Sequence, residues 1–350
     1  MENMKVIVTG GAGFLGYHLG QRINELTEYK NSVFFDIAPF PPGEYHPEIN
    51  TIYGDVRDPK QMDEIIAGSD VVIHCAAALP LWKKKDIFET NVDGMRNVCE
   101  SCLKFNVDRL IFISSTAVYG VPDVHPIYEH HERVGVGPYG KSKILAEKIC
   151  EEYRKKGLII SILRPKSFIG TARLGVFQIL YDWVESGCRI PIIGNGKNRY
   201  QLFEVEDLVD AIFLVSKLPK DVINDTFNLG AKEFTTVEED VGALCEYAKS
   251  GSKILRTPSW LIKPVLRFFE ILNLSPLYKW IYGTADTDSF VSIEKAEKQL
   301  GWQPKYSNKQ ALIRSYQWYL DNKQNIQQGS GVTHRIAWKQ GILKLFKKIL

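Results

Sequence analysis

Residues Lys5–Gly16 read KVIVTGGAGFLG, a short apolar run that ends in a cluster of glycines. The apolar run predicts a buried strand, and the residues after the glycines follow the spacing of a helix that buries one face. In such a strand–turn–helix unit, Gly10 or Gly11 permits the tight turn and Gly13 lets backbone amides approach a pyrophosphate. Gly16 allows close packing of helix against strand, and the positive end of the helix favours the phosphate charge. The sequence therefore predicts a dinucleotide-binding loop.

Apolar strands alternate with helices over the first 165 residues. Nearly continuous apolar strands are typical of a parallel sheet that helices cover on both faces. We therefore predict an α/β fold with a doubly wound parallel sheet. The predicted strands are Lys5–Thr9, Ser32–Ile37, Thr51–Gly54, Asp70–Cys75, Arg109–Ser114 and Leu158–Leu163, and the helices after the first are Lys60–Ala67, Phe88–Phe105 and Tyr139–Lys155.

The pattern changes after Arg164-Pro165, where segments rich in glycine, proline and aromatic residues alternate with helices. We predict a dinucleotide-binding domain over 1–165 and a smaller mixed α/β substrate domain over 166–326, from which some strands return to the first domain. A linker and a basic amphipathic helix are predicted over 327–350.

The composition is that of an ordinary globular protein. The 350 residues are 45% hydrophobic and 24% charged, and the net charge of +3 does not indicate a nucleic-acid-binding surface. No run of 18 uninterrupted apolar residues predicts a transmembrane helix, and we expect no signal peptide because Met1–Met4 lead directly into the first strand. The six cysteines lack the spacing of a disulfide scaffold, so we expect them to be reduced in a cytoplasmic protein.

Asp36 ends the second predicted strand, 20 residues after Gly16. A carboxylate at this place in a dinucleotide-binding unit accepts hydrogen bonds from the adenosine ribose hydroxyls. A 2′-phosphate would meet a like charge there, and Ile37-Ala38-Pro39 offers no arginine to receive it. We therefore predict NAD rather than NADP as the cofactor.

Several short motifs occur together in one order: TGGAGFLG at 9–16, GDV at 54–56, HCAAA at 74–78, NVDG at 91–94, SSTAVYG at 114–120, YGKSK at 139–143, RP at 164–165 and LGW at 300–302. On these motifs the chain resembles the extended short-chain dehydrogenases/reductases, the NAD-dependent epimerase/dehydratase group, over about residues 4–320. The resemblance implies an enzyme of the Rossmann type. It also implies a homodimer that pairs through the helices at 88–105 and 139–155.

The resemblance also implies a set of cofactor contacts. By resemblance, the residues that bind the cofactor at the glycine-rich loop are Gly10, Gly13, Phe14, Leu15, Gly16 and Asp36. Asp55 and Val56 flank the adenine, Ala76 and Ala77 line the dinucleotide, Asn91 supports the active-site helix, and Lys143 holds the nicotinamide ribose. Ser114, Tyr139 and Pro165 complete the implied cofactor set.

Tyr139 and Lys143 are four residues apart at the start of a predicted helix, so their side chains share one face. A free tyrosine has a pKa of about 10, too high for a base at neutral pH. A nearby ammonium group and the nicotinamide cation favour the phenolate and lower that pKa. Tyr139 can then remove a proton from a substrate hydroxyl while hydride leaves the same carbon for the cofactor.

Ser114-Ser115-Thr116 follows the fifth strand, at the sheet edge where doubly wound folds bind ligands. By resemblance, Ser115 is the catalytic hydroxyl that orients the substrate oxygen, with Ser114 and Thr116 as alternatives. Sugar-nucleotide 4,6-dehydratases have Thr-Asp-Glu here, whereas this chain has Ser115-Thr116-Ala117. Because it lacks the carboxylates that would carry protons during water loss, we do not expect a dehydratase.

Two substrate classes remain open. Arg164-Pro165 and the Gly194-Asn195-Gly196 turn resemble UDP-sugar epimerases, which oxidise a sugar and return the hydride to its opposite face. Two family features are altered: the asparagine that usually meets the diphosphate is Ser167, and the usual Arg-Asp pair is Tyr200-Gln201, with Arg199 one residue earlier. Ser167 and Arg199 are candidate substrate residues, as is Thr116.

The rival substrate class is a 3β-hydroxysteroid or another lipid alcohol, which a dehydrogenase would oxidise. The apolar loop Ala78-Leu79-Pro80-Leu81-Trp82 and the aromatic segment 257–283 resemble that branch. Leu81 and Trp82 are therefore further candidate substrate residues. A cofactor-binding regulator without activity is the non-enzymatic alternative, although intact Ser115, Tyr139 and Lys143 disfavour it.

Residues 333–350 hold five cations and no acid. An apolar stripe runs through Trp338, Ile342, Leu345, Phe346 and Ile349, and this pattern is typical of a helix that lies on an anionic membrane surface. A peripheral location on the inner face of the cytoplasmic membrane would suit a polyprenyl-linked sugar as substrate. Docking of this tail on the protein itself or on a partner is the alternative.

The remaining residues of possible chemical interest have plainer interpretations. His74 lies within a predicted strand and is expected in the core or the cofactor wall, while His125, His130 and His131 lie in a polar loop and are expected to be solvated. Cys99 and Cys102 lie mid-helix without a second pair, so no metal site is predicted.

Overall fold

The computed structural model describes residues 4–26, 29, 31–272, 279–326, 335, 337, 340–341 and 343–347. Its centre is a seven-stranded parallel sheet in the order β10-β6-β5-β4-β1-β2-β3, and β11-β8 and β7-β9 form two small parallel pairs. The predicted doubly wound α/β fold is confirmed. The strands are β1 Val6–Thr9, β2 Val33–Asp36, β3 Asn50–Tyr53, β4 Val71–His74, β5 Arg109–Ile113, β6 Ile160–Pro165, β7 Ser167–Ile169, β8 Ile190–Ile193, β9 Leu202–Glu204, β10 Thr226–Leu229 and β11 Ile254–Thr257.

Helices cover both faces of the central sheet. They are α1 Phe14–Glu25, α2 Pro59–Ile66, α3 Lys84–Phe88, α4 Gly94–Lys104, α5 Gly137–Lys155, α6 Val176–Glu185, α7 Val205–Lys217, α8 Lys220–Ile223, α9 Val237–Ala248, α10 Ser259–Ile271, α11 Lys279–Thr284, α12 Asn308–Asn322 and α13 Leu343–Lys347. Short 3₁₀ turns occupy Thr116–Tyr119 and Lys323–Asn325, and π turns occupy Glu89–Asp93 and Ala296–Leu300.

The pleat of β1 explains why its residues are all apolar. Val6 and Val8 pack with α1 and α7 on one face of the sheet, while Ile7 packs with α2, α4 and α5 on the other. Alternate residues of a strand point to opposite faces, so a strand covered on both faces has to be apolar throughout.

The seventh strand of the sheet comes from the second half of the chain. Thr226–Leu229 pairs in parallel with Ile162–Pro165, so the chain returns to the central sheet after the two small strand pairs. The division of the chain at residue 165 stays a prediction.

The predicted helix Phe88–Phe105 differs in detail, because a π turn over Glu89–Asp93 separates α3 from α4. The wider turn carries Asn91, whose side chain hydrogen-bonds to the loop after β4 and to α5, as described below. Wider turns inside helices often occur at functional sites.

The chain end differs from the single predicted helix. Gly341 has a φ of 55°, Gln340 and Gly341 lie outside any helix, and α13 covers only Leu343–Lys347. Leu343 is buried against α6, and Lys347 pairs with Asp182 of that helix. This part of the tail therefore docks on the protein's own surface. The linker predicted at 327–331 lies outside the described residues, as do Trp338, Ile342 and Ile349.

Candidate active site

The glycine-rich loop lies between β1 and α1, at the carboxyl edge of the sheet. Gly10 has a φ of 74°, and a Cβ there would lie 2.6 Å from the backbone N of Ala76. A Cβ on Gly16 would lie 2.3 Å from the carbonyl oxygen of Gly11. Both positions therefore require glycine. No side chain caps α1 at Gly13, so the N–H groups of its first turn are available to an anion.

Asp36 lies beside the glycine-rich loop, at the end of β2. Its carboxylate accepts hydrogen bonds from the backbone N–H of Ala12 at 2.9 Å and of Ala38 at 2.8 Å. Burial raises the pKa of Asp36, and the backbone N–H groups oppose that rise. Asp36 therefore shapes the loop and lines the same cavity as the glycines. A glycine-only cradle, an uncapped helix N-terminus and a carboxylate together fit a dinucleotide.

One cavity gathers most of the predicted cofactor residues. Those that line it are Gly10, Gly13, Phe14, Leu15, Asp36, Asp55, Val56, Ala76, Ala77, Ser114, Tyr139 and Lys143. Thr90, Phe168 and Cys75 also line it and were not predicted. Phe168 follows the Arg-Pro pair by three residues, and Thr90 precedes Asn91 in the NVDG motif, so both lie beside motifs that the sequence analysis used.

Three predicted cofactor residues, Gly16, Pro165 and Asn91, do not line the cavity. Gly16 packs against the loop backbone, as its close approach to Gly11 shows. Pro165 is buried in β6 in register with Leu229 of β10, so it does not reach the cavity. Asn91 is buried as well, and it acts through the hydrogen bonds that follow.

Asn91 connects the loop after β4 to α5. Its side chain accepts a bond from Ala78 N at 2.8 Å and donates to Ala78 O at 3.2 Å and to Ser142 Oγ at 2.9 Å. Ser142 Oγ in turn donates to the carbonyl oxygen of Tyr139 at 2.8 Å. One buried amide therefore positions both the cavity wall and the helix that carries Tyr139.

Tyr139 and Lys143 line the cavity, and Ser115 lies beside them, hydrogen-bonded to Tyr139. Lys143 is buried, its Nζ donates to the carbonyl oxygen of Ile113 at 2.9 Å, and it lies 6.0 Å from the ring centre of Tyr139. Burial lowers the pKa of Lys143 to about 8. Ser115 also caps the 3₁₀ turn Thr116–Tyr119, which follows β5.

The pKa of Tyr139 differs from the expectation. Burial raises it to about 12, and the hydrogen bond from Ser115 opposes that rise only in part. Lys143 does not lower this pKa noticeably, because its ammonium is directed at the Ile113 carbonyl. The protein alone therefore keeps the phenol protonated, and a further cation is needed to form the phenolate.

A buried charge network lies directly behind these residues. Glu147 on α5 binds Arg164 of β6 through two contacts of 2.8 and 2.7 Å, and it also accepts bonds from Arg133 and Ser114. Burial opposes ionisation, but Arg164 and the other donors hold the pKa of Glu147 below its usual value. Because the Ser114 hydroxyl donates to Glu147, Ser115 is the hydroxyl that remains for Tyr139. The sequence analysis did not identify Glu147 or Arg133.

The candidate substrate residues lie apart from one another. Trp82 lines the cavity, whereas Leu81 beside it is exposed. Thr116 begins the 3₁₀ turn after Ser115. Arg199 is half-exposed and its charge is paired with Asp288, with 3.3 Å between Nη2 and Oδ2. Ser167 Oγ lies 3.2 Å from the hydroxyl of Tyr200.

A second polar cluster lies near Ser167. Lys166 is 4% exposed, its Nζ donates to Ser289 Oγ at 2.7 Å, and it lies 4.9 Å from the Tyr200 ring centre. Burial lowers the pKa of Lys166 to about 7. No carboxylate in the described part of the chain lies within ion-pair distance of it.

Two of the predicted histidine environments are now defined. His74 is a core residue whose Nδ1 lies 2.7 Å from Thr9 Oγ1, and burial lowers its pKa to about 3. His125 is not solvated as predicted, because its ring packs at 4.8 Å on Phe290. Among the described residues its buried Nε2 has no hydrogen-bond partner. Burial lowers the pKa of His125, and the nearby Lys166 lowers it further.

Known proteins resemble this chain along most of its length. A model of the NAD dependent epimerase/dehydratase family matches residues 6–230. A protein of Sinorhizobium fredii described as "Uncharacterized protein y4nG" is 34% identical over 344 residues, covering 97% of this chain and 84% of its own. A UDP-glucose 4-epimerase of Lactobacillus helveticus is 29% identical over 346 residues, covering 90% of this chain and 97% of its own.

The fold is shared with a solved enzyme. The structure of UDP-glucuronic acid 4-epimerase from Bacillus cereus in complex with NAD aligns with a TM-score of 0.74 and 22% identity, covering 91% of this chain and 99% of that one. The match to the family model confirms the predicted resemblance, the enzymatic nature of the chain and NAD as its cofactor.

Replacing Glu147 by glutamine would leave the Arg164 charge buried without its counter-ion. We expect this variant to lose about 3 to 5 kcal/mol of unfolding free energy in urea at neutral pH. The pKa of Glu147 is lowered in the folded state, so its contribution is present above the unfolded pKa and is lost as the pH falls through the folded one. The difference between wild type and variant should therefore shrink in acid.

Glu151→Gln is the matched control for this measurement. Glu151 also binds Arg133, at 2.8 Å, but it is 43% exposed, so its removal should cost below about 1 kcal/mol. Equal losses in the two variants would contradict the importance assigned to the buried pair.

Proposed function

Because the chain belongs to the NAD-dependent epimerase/dehydratase family, we propose that it epimerises a sugar linked through a diphosphate to a nucleotide or a polyprenyl lipid. The observation that carries this proposal is the buried, unpaired Lys166 beside Ser167 and Tyr200. These are the two positions where the residues usual in UDP-sugar epimerases are replaced. The likeness to a UDP-glucose 4-epimerase supports the same substrate class.

The groups around Lys166 have the chemistry of a phosphate site. The Ser167 and Tyr200 hydroxyls lie 3.2 Å apart with Ser167 exposed, and Ser289 Oγ is held at the ammonium group. His125, whose pKa burial lowers and the nearby Lys166 lowers further, lies close enough to sense the Lys166 charge. A buried ammonium without a counter-ion is unfavourable, and a diphosphate would supply the missing charge together with acceptors for the hydroxyls. Lys166 would thus replace the arginine that is absent at position 200.

The reacting groups of the chain suit the removal and return of a proton. NAD, when bound, supplies the acceptor and later the donor of the hydride. Ser115 orients the substrate hydroxyl, and Tyr139 takes its proton as the carbon–hydrogen bond breaks. Burial keeps Tyr139 protonated in the protein alone, so the positive charge of a bound nicotinamide would be needed to favour the phenolate, and Lys143 would hold the nicotinamide ribose. Tyr139 returns the proton to the oxygen after the keto sugar has turned over, so no net oxidation occurs.

The residues beside Ser115 argue against water loss as the reaction. Thr116 and Ala117 form the 3₁₀ turn, and Ala117 is buried, so no carboxylate stands at these positions to move a proton from the adjacent carbon. A lipid-alcohol dehydrogenase remains the second candidate. It is favoured by the apolar cavity wall at Leu79, Trp82 and Phe168.

We further infer a cytoplasmic homodimer. All six cysteines are free, as in a reducing compartment. The helices α4 and α5 lie side by side, joined by Arg96 and Glu152 with 3.6 Å between Nη1 and Oε2, and would form the face on which a second copy packs.

Purified enzyme should retain NAD and convert a UDP-sugar to its epimer without accumulating NADH, as measured by absorbance and product chromatography. Such a cycle returns every hydride that it removes. Stoichiometric NADH from a sterol or another lipid alcohol, with no epimer formed, would establish the dehydrogenase instead.

The Tyr139→Phe variant should lose at least about a hundredfold in kcat, because general-base catalysis of this kind contributes about 10² to 10⁴. Its NAD content should stay at the wild-type level. Tyr153→Phe is the matched control, since Tyr153 lies on the same helix but its hydroxyl contacts Glu100 at 3.2 Å. Wild-type turnover in Tyr139→Phe would refute the assignment of the base.

Lys166→Met should raise the KM for a UDP-sugar by about tenfold to a hundredfold, because a hydrogen-bonded charge contact is lost. The kcat and the NAD content should change little, and Lys166→Arg should restore part of the affinity. Lys232→Met removes an exposed cation that pairs with Glu297 and serves as the control. An unchanged KM in Lys166→Met would exclude this residue from the diphosphate site.

A further inference from the structure

The outer face of α10 is apolar, which is unusual for a helix on a protein surface. Trp260 is 78% exposed, Ile271 69% and Phe268 58%, and Leu261, Val265 and Leu272 are exposed beside them. These six residues, the α10 face, follow the spacing of one side of a helix. Contiguous apolar patches of this kind on soluble proteins mark interaction sites.

Two of the three charged residues of α10, Lys263 and Glu270, bind groups of the protein. Lys263 pairs with Asp286 and donates to the carbonyl oxygen of Gly283 at 3.0 Å, and Glu270 accepts a bond from the Tyr282 hydroxyl. Leu266 is buried. The helix therefore differs from an ordinary surface helix, because Lys263 and Glu270 are engaged with the protein while the α10 face is exposed.

The charge around the α10 face is positive. Arg267 is exposed beside Phe268, and Lys344 of α13 is exposed near the same helix, where the rings of Phe269 and Phe346 lie 6.3 Å apart. Neither Arg267 nor Lys344 has an ion-pair partner in the described part of the chain. The one acid of α10, Glu270, is already engaged. Apolar side chains bordered by unpaired cations are complementary to a bilayer with anionic headgroups.

We propose that the α10 face docks the enzyme on an anionic lipid bilayer, with Arg267 and Lys344 at the lipid phosphates. α10 spans 13 residues, about 20 Å, and within the described ranges no helix is long and apolar enough to cross a membrane. The helix therefore lies in the interface rather than through it. A second copy of the chain is the poorer occupant, because two-fold pairing of this face would bring two Arg267 side chains to one apolar interface whose one acid on α10, Glu270, is already engaged.

The proposal concerns a surface and does not depend on which reaction the enzyme performs. Its test is flotation of the full-length enzyme with vesicles of pure phosphatidylcholine and with vesicles that also contain phosphatidylglycerol. Wild type should bind the anionic vesicles at least about tenfold more strongly than the neutral ones, as two or more cations near such a surface predict.

The Trp260→Ser/Phe268→Ser variant should lose at least about tenfold in binding to anionic vesicles, because two large apolar side chains no longer enter the interface. Arg267→Glu/Lys344→Glu should lose the preference for anionic lipid. Tyr247→Ser is the control, since it removes another exposed aromatic residue that lies on α9. NAD content and thermal unfolding of each variant report on its folding.

Two outcomes would overturn the proposal: failure of wild type to float with anionic vesicles, and flotation of the serine variant equal to that of wild type. If flotation is absent and light scattering shows a wild-type dimer that the serine variant converts to monomers, the α10 face belongs to a second copy.

Discussion

The ion pair between Glu147 and Arg164 is the constraint on which the active site depends. It is buried, and it joins α5 to β6 through two short contacts while Ser114 binds the same carboxylate from the end of β5. A buried charge pair is tolerated only when its geometry is satisfied on every side. Arg164 meets this condition through Tyr119, whose hydroxyl donates onward to Asn228 of β10. These contacts hold α5, β6, β10 and the end of β5 in one arrangement. α5 carries Tyr139 and Lys143, so the same contacts fix the position of both residues.

Asn91 provides the corresponding constraint on the other side of α5. Its amide hydrogen-bonds the Ala78 backbone and Ser142, so the cavity wall after β4 cannot move independently of α5. Reactions that transfer hydride require reacting groups to be held within fractions of an ångström. The two polar contacts supply that rigidity from opposite sides of one helix, whereas the residues that face the cavity are mostly small or apolar.

Local patterns in the sequence predicted the sheet, the glycine loop and the Tyr139–Lys143 pair, because each depends on neighbouring residues and on the period of a strand or helix. Contacts between distant segments were not predictable in this way. Glu147 and Arg164 are 17 residues apart and meet only after β6 has joined the sheet, and Lys166 bonds Ser289 across 123 residues. The predicted lowering of the pKa of Tyr139 was wrong for the same reason. That pKa depends on how deeply the phenol is buried and on the direction of the Lys143 ammonium group. Residues 340–341 differ from the predicted tail helix because Gly341 adopts a left-handed conformation, and the apolar stripe, three of whose residues lie outside the described ranges, stays a prediction.

The polar cluster at Lys166 and the α10 face are connected by one short segment. Asp286 binds Lys263 of α10, and Ser289, three residues later, binds Lys166. Three extended residues span about 10 Å, so the two features border the same strip of chain. The diphosphate of either proposed linkage would neutralise the cation inside, but an exposed apolar helix is unfavourable for a protein that handles only soluble nucleotide sugars. Both features are compatible with a substrate whose diphosphate enters the site while its lipid stays in the bilayer. Of the two linkages proposed for the sugar, the polyprenyl diphosphate therefore accounts for more of this structure.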